Sequence, residues 1–156
     1  MSRQAKFPPE IQSGVLLGNI PEIVAKSYPN HEALVVDNIR KTWSQYAEDV
    51  DRLAIELINL GISKKDIVSI WARNNYDWMV AWFGIARVGA ILVPLDHWYR
   101  DEDAFYILNH SEAKAVICTK EFLPLINQMA HLTHLKYIIL MSTKMKKSLL
   151  NFSRKM

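Results

Sequence analysis

The sequence predicts an α/β protein, a doubly wound and mostly parallel sheet with βαβ crossovers, preceded by a helix and a small β-hairpin. The first observation is an alternation. From Ile67 onward, short apolar runs alternate with longer helical patterns, at the spacing that right-handed crossovers in a parallel sheet require. The second is the stretch Ile85 to Asp96: an apolar helix end, a glycine stop, a short apolar strand and a proline-led exit. The third is Asp37-Asn38 between two short β-prone runs, a two-residue turn suited to a hairpin.

Residues 1–18 have no clear period and read as an irregular arm. Asn19-Ile20-Pro21-Glu22 opens a short helix, with Asn19 as its cap and a proline in the first turn. Pro29 stops that helix near Tyr28, because the residue before a proline avoids helical geometry. Ala33 to Val36 and Ile39 to Thr42 form the hairpin. Thr42-Trp43-Ser44-Gln45 has the spacing of a capping box. Behind it Tyr46, Val50, Leu53, Leu57 and Leu60 recur at four and three, one apolar stripe ended by Gly61. Glu48, Asp49, Asp51 and Arg52 read as solvated charges on the opposite face.

Ile67 to Trp71 is a strand. Tyr76 to Val88 is a helix begun by Asn74 and apolar nearly all round, the pattern of a buried helix. Gly89 suits the left-handed residue that ends a helix. Ala90 to Val93 follows as a strand covered on both faces, and Pro94, with no N–H to give, leaves it. Asp101 to Asn109 is a helix with three acids in its first turn, where the dipole favours them. Ala115 to Thr119 is a strand, Lys120 to Ala130 a helix with Phe122, Leu125, Ile126 and Met129 inward, and Tyr137 to Met141 the last strand.

Composition narrows the function. The chain has 156 residues, half of them hydrophobic and 22% charged, with five Trp, six Tyr and five Phe, as a folded globular domain requires. The net charge of +3 misleads: Lys144, Lys146, Lys147, Arg154 and Lys155 crowd residues 142–156, and without these five the acids outnumber the bases. The body therefore has no nucleic-acid footprint. The tail, 142–156, reads as a disordered terminus, with a secondary reading as a basic amphipathic segment that touches membranes. No apolar run is long enough for a transmembrane helix and no signal sequence is recognisable, so the expected location is cytoplasmic. The lone Cys118 sits in a strand pattern and reads as a core residue.

Gly14, Gly18, Gly61, Gly84 and Gly89 are scattered, and no glycine cluster of the kind that cradles phosphate exists. His131 and His134 lie three apart without further ligands nearby in sequence, so no metal site is expected. Open α/β sheets bind ligands at the carboxyl ends of their strands. That rule gives Arg73, Asn74, Asp96 and His97 as ligand-edge candidates, with Thr119 and Ser142 beside them. Asn74 could equally cap a helix, and Asp96-His97 could equally bond its own loop. No catalytic, cofactor-binding or metal residue is assigned.

Several runs resemble a known family when taken in order. Thr42-Trp43-Ser44-Gln45-Tyr46 stands where that family has a Thr-Tyr-x-Glu-Leu helix start, and Lys65-Asp66-Ile67-Val68 where it has Gly-Asp-x-Val. Asn74, Gly89-Ala90, Pro94-Leu95-Asp96, Tyr106-Ile107-Leu108, Ser111 and Ala113-Lys114-Ala115 follow. Residues 19–141 thus resemble the opening segment of the adenylate-forming (AMP-binding) superfamily, most closely the long-chain fatty acyl-CoA synthetases. The resemblance implies a partial N-terminal subdomain of a ligase that uses ATP, Mg²⁺ and coenzyme A to make acyl-CoA through an acyl-adenylate. The phosphate loop and catalytic lysine of that family match no position here, so this chain by itself is expected to be inactive. Expected partners are the missing C-terminal part or a second copy. A split subunit or binding module that completes another protein is the alternative, and a flavodoxin-like nucleotide or response domain a further one.

Overall fold

The computed structural model describes residues 14–141 and the backbone of 150–155. A 3₁₀ turn, Leu17–Asn19, leads into α1 (Ile20–Ser27). The hairpin is β1 (Glu32–Val36) and β2 (Ile39–Thr42), with Asp37 at φ 51° in the turn. Then come α2 (Trp43–Asn59), β3 (Ile67–Trp71), α3 (Tyr76–Val88), β4 (Ile91–Leu95), α4 (Asp101–His110), β5 (Ala115–Cys118), α5 (Leu123–Met129), β6 (Tyr137–Met141) and β7 (Leu150–Lys155). The predicted strands and the four longer helices all form, with ends shifted by a residue or two.

The sheet order is β4-β3-β5-β6-β7. The first four strands pair in parallel and β7 adds antiparallel to β6. The chain steps from β3 outward to β4, then reverses past β3 to β5 and β6. Right-handed crossovers therefore put α3 on one face and α4 and α5 on the other. The packing agrees. Tyr46, Val50, Leu53, Val80, Ala81 and Ile85 from α2 and α3 bury the face of Val68, Ile70 and Ile117. Ala104, Leu108, Ile126 and Met129 from α4 and α5 bury the face of Trp71, Val116 and Ile138.

The α2 capping box is present: Gln45 N–H donates to Thr42 Oγ1 at 3.3 Å, and Thr42 N–H to Gln45 Oε1 at 3.1 Å. Gly89 ends α3 at φ 79°. Gly18 matters for a different reason: a Cβ there would stand 2.5 Å from the Arg87 backbone, so the turn before α1 lies directly on α3. Arg87 locks the contact, donating to Asn19 Oδ1 at 2.7 Å and to Glu22 Oε2 at 2.6 Å, with Asp51 at 3.0 Å.

Several expectations change. Asn19 spends its side chain on Arg87 and makes no cap bond to α1. Asn75, not Asn74, caps α3, accepting from Trp78 N–H at 2.8 Å. Helix α3 is buried on one face only, and Trp78, Met79, Trp82 and Phe83 are half-buried. Strand β4 is the sheet's edge, with Ile91 49% exposed, which is also why Pro94 is tolerated inside it. The helix expected over 120–130 is a 3₁₀ turn followed by α5 and a second 3₁₀ turn, because Pro124 sits early in it. His131 is in that last turn and His134 beyond it, so they do not share an α-helix. The tail departs from disorder where it can be described: residues 150–155 pair with β6 through a register break, while 142–149, with Ser142, lie outside the described residues. Of the N-terminal arm, residues 1–13 lie outside them as well.

Candidate functional site

Strands β3 and β4 are neighbours whose following helices go to opposite faces of the sheet. Their exit loops must part, and a crevice opens between them. A cleft of about 390 Å³ lies there, with Asn74, Trp78, Pro94, Asp96, His97 and Tyr99 among its lining residues. Three of the four ligand-edge candidates, Asn74, Asp96 and His97, are thus brought together.

Local bonding explains why they converge. Trp71, fully buried at the end of β3, donates from Nε1 to the Asp96 carbonyl at 3.2 Å and stacks on Phe122 at 4.6 Å between ring centroids. This ties the β4 exit to the β3 terminus. Asp96 Oδ1 accepts from Trp98 N–H at 2.9 Å, a turn closed by the residue's own side chain, and stands 3.3 Å from His97 Nδ1. Because Asn75 takes the capping role, Asn74 lines the cleft. Arg73 points elsewhere: it faces Glu121 at 3.6 Å and lies 5.8 Å from the ring of Trp98, which is 75% exposed. Thr119, at the end of β5, buries a hydroxyl with no hydrogen-bond partner among the described residues.

The arrangement can hold a polar group between Asn74 and Asp96 against the Trp78 ring. The cleft offers a recognition edge of amide, carboxylate and imidazole. Among the described residues no three His, Cys, Asp or Glu side chains stand where they could share a metal ion. Burial pushes the Cys118 thiol up to about 12, so it is not a nucleophile at neutral pH.

A second polar cluster was missed in the sequence. Asp49, read as a solvated charge, is 4% exposed and is the hub of the helix–hairpin junction. It accepts from Tyr76 Oη at 2.7 Å, Lys41 Nζ at 2.9 Å and Arg52 Nη1 at 3.0 Å. Burial, then the Asp49 charge, pushes the neighbouring Asp77 carboxyl up to about 6. The same burial and the bond to Asp49 push the Tyr76 hydroxyl far above its usual range. A signal existed: Asp49 is three residues after Tyr46 and four before Leu53, which places it beside the apolar stripe. These groups tie β2, α2 and α3 together.

The chain is similar to known proteins in sequence and in fold. The family model described as AMP-binding enzyme matches residues 22–155. The medium-chain acyl-CoA ligase ACSF2, mitochondrial, of Rattus norvegicus is 33% identical over 108 residues, covering 68% of this chain and 18% of that protein. This chain therefore spans less than a fifth of such a relative. A long-chain-fatty-acid CoA ligase, described as putative, from Rhodopseudomonas palustris CGA009 superposes with a TM-score of 0.79 at 20% identity, over 88% of this chain and 35% of its own. The N-terminal domain of FACL13 from Mycobacterium tuberculosis superposes with a TM-score of 0.71 at 27% identity, over 75% of this chain and 30% of its own. The capping box, the Gly89 stop, the β4 exit and the parallel layer are thus the N-terminal segment of a known architecture, and the chain belongs to the AMP-binding, adenylate-forming enzyme family.

Proposed function

We propose that this chain is the N-terminal scaffold of an ATP-dependent acyl-CoA synthetase acting on a fatty acid, and that by itself it does not activate one. The observation that carries this is the family match over residues 22–155 together with the identity to an acyl-CoA ligase of several times the length. In such an enzyme ATP and Mg²⁺ supply the adenylating chemistry and coenzyme A receives the acyl group. The residues present do not fit those groups. The five glycines are dispersed in the sequence, and Gly14, Gly61 and Gly89, the described ones with positive φ, are far apart along the chain, so no glycine cluster of the kind that cradles phosphate is present in it. No catalytic step is assigned to this chain. Asn74, Asp96 and His97 are its contribution to a ligand edge.

The partner that fits is the remainder of the same architecture, in the same polypeptide or supplied by another. Strand β4 has an unpaired side among the described residues, and α3 carries Trp78, Met79, Trp82 and Phe83 half-buried, with Phe83 edge-on to Tyr46 of α2. Edges of this kind take a further strand or associate. Among the described residues no helix is long and apolar enough to cross a membrane. A reducing, cytoplasmic setting suits the single buried thiol.

The test is pyrophosphate release from the purified chain with ATP, Mg²⁺, coenzyme A and a fatty acid. The expected result is none above background, and turnover would overturn the scaffold reading. Co-expression with the rest of a related ligase is expected to yield a co-purifying complex, and failure to co-purify would remove the partner assignment alone.

A further inference from the structure

The two ends of the sheet carry opposite charge, and the geometry points to the amino-terminal end as a docking surface for an anionic lipid bilayer. Lys64 and Lys65 precede β3, Lys114 precedes β5 and Lys136 precedes β6. Because β7 runs antiparallel, its far end returns to the same place: Lys155 is in register with Tyr137 and Arg154 with Ile138. Four lysines from three separate segments, Lys64, Lys65, Lys114 and Lys136, thus meet at one end, against Asp66 and Glu112. Asp66 is already engaged: Lys114 Nζ donates to it at 2.6 Å and Ser63 N–H at 2.7 Å. Burial opposes its ionised form, but these bonds outweigh that and hold the carboxyl below its usual range. A cleft of about 340 Å³ lies between the lysines, lined by Lys65, Glu112, Lys114, His134 and Lys136 among others. The other end of the sheet is acidic, with Asp96, Asp101, Glu102, Asp103 and Glu121 against Arg73, Arg100 and Lys120. The chain therefore has a polarity that would orient it against a charged surface.

A bilayer fits better than a nucleic acid because apolar side chains flank the lysines. Ile91 is 49% exposed and its N–H bonds the Asp66 carbonyl at 2.8 Å, next to Lys65, whose own N–H bonds the Gly89 carbonyl at 3.0 Å. Ile58 is 56% exposed at the end of α2, three residues before Gly61, whose carbonyl accepts from Lys114 Nζ at 2.8 Å. Exposed isoleucines among lysines suit a headgroup layer, where the cations meet phosphates and the apolar tips enter the interface. Such docking requires no catalytic competence of the chain.

The experiment is co-sedimentation of the full chain with vesicles of phosphatidylcholine alone and of phosphatidylcholine mixed equally with phosphatidylglycerol, at low and raised salt. Binding is expected only to the anionic vesicles and to fall as salt shortens the screening length from roughly 8 Å near physiological strength. The double charge reversal K65E/K136E is expected to weaken partitioning by roughly tenfold or more. The reversal R100E/K120E at the opposite end, which carries the same charge change, is expected to retain it, with far-ultraviolet circular dichroism reporting that both variants fold. Equal loss in both variants, binding insensitive to salt, or no binding to anionic vesicles overturns the proposal, as does tighter partition to a duplex oligonucleotide than to vesicles.

Discussion

Asp49 shows how far one residue's environment can depart from its position in a sequence pattern. It is a carboxylate with three donors from β2, α2 and α3, and it is nearly sealed from water. Replacing it leaves the Tyr76 hydroxyl and the Lys41 ammonium without their acceptor, and an unpaired buried donor costs more than the bond contributed. Asp49→Ala is expected to destabilise the fold by about 3 kcal/mol, read as a lowered urea midpoint at unchanged slope. Asp77 behaves in the opposite sense. Its carboxyl is pushed up to about 6 in the fold, above its usual 3.8, so the folded state binds a proton more tightly than the unfolded chain. Charged Asp77 is then a liability at neutral pH, and its cost is relieved as pH falls from 7 through 6 toward 4. Asp77→Asn is expected to raise stability at pH 7 and to gain little at pH 4, measured as melting temperature against pH. Cys118, buried with its thiol at about 12, should resist alkylation by iodoacetamide in the native chain and react once urea unfolds it.

The helices differ in how far a local device and how far a tertiary contact holds them. Helix α2 has its capping box, both bonds formed, and an apolar stripe that packs on β3 and α3. Thr42→Ala removes one acceptor for an orphan N–H and should cost about 1 kcal/mol, visible in chemical denaturation without loss of the sheet. Helix α1 has no side-chain cap and depends instead on Gly18 lying against α3 and on Arg87 gripping Asn19 and Glu22. A methyl group at position 18 meets backbone rather than a movable side chain, so the two segments must separate. Gly18→Ala is expected to expose α1 to limited proteolysis while the parallel sheet persists, and an unchanged digestion pattern would show that the contact is not needed. Helix α3 combines both roles. One side, with Val80, Ala81 and Ile85, seals the core, and the other carries half-buried aromatic rings.

The whole molecule is a polar object in two senses. The reversal of winding at β3 opens a cleft at the carboxyl end and places Asn74, Asp96 and His97 around it, whereas the amino end gathers the lysines. The sheet ends at β4 on one edge and at β7 on the other, each unpaired on its outer side among the described residues, and α3 carries half-buried aromatic rings. At this scale the expectation is association: the chain alone should show concentration-dependent size in sedimentation velocity and bind a hydrophobic dye, and both should diminish when the rest of a related ligase is supplied in trans. A monodisperse monomer with no dye binding would show that the exposed face needs no cover.

Periodicity, glycine and proline alone determined most of this architecture. The stripe of Tyr46, Val50, Leu53 and Leu57, the Thr42–Gln45 box, the Gly89 stop and the strand–helix alternation are local in cause, since each depends on spacing within a few residues. Family membership was legible for the same reason, because its marks are short runs that follow one another in a fixed order along the chain. Tertiary structure decided what distance in sequence conceals. It fixed the edge position of β4, the return of Arg154 and Lys155 beside the start of β6, and the replacement of Asn74 by Asn75 as the α3 cap. It also buried Asp49, whose donors lie 3, 8 and 27 residues away. Burial and charge pairing are sums over neighbours from every packed element, and such a sum exists only after the chain has folded.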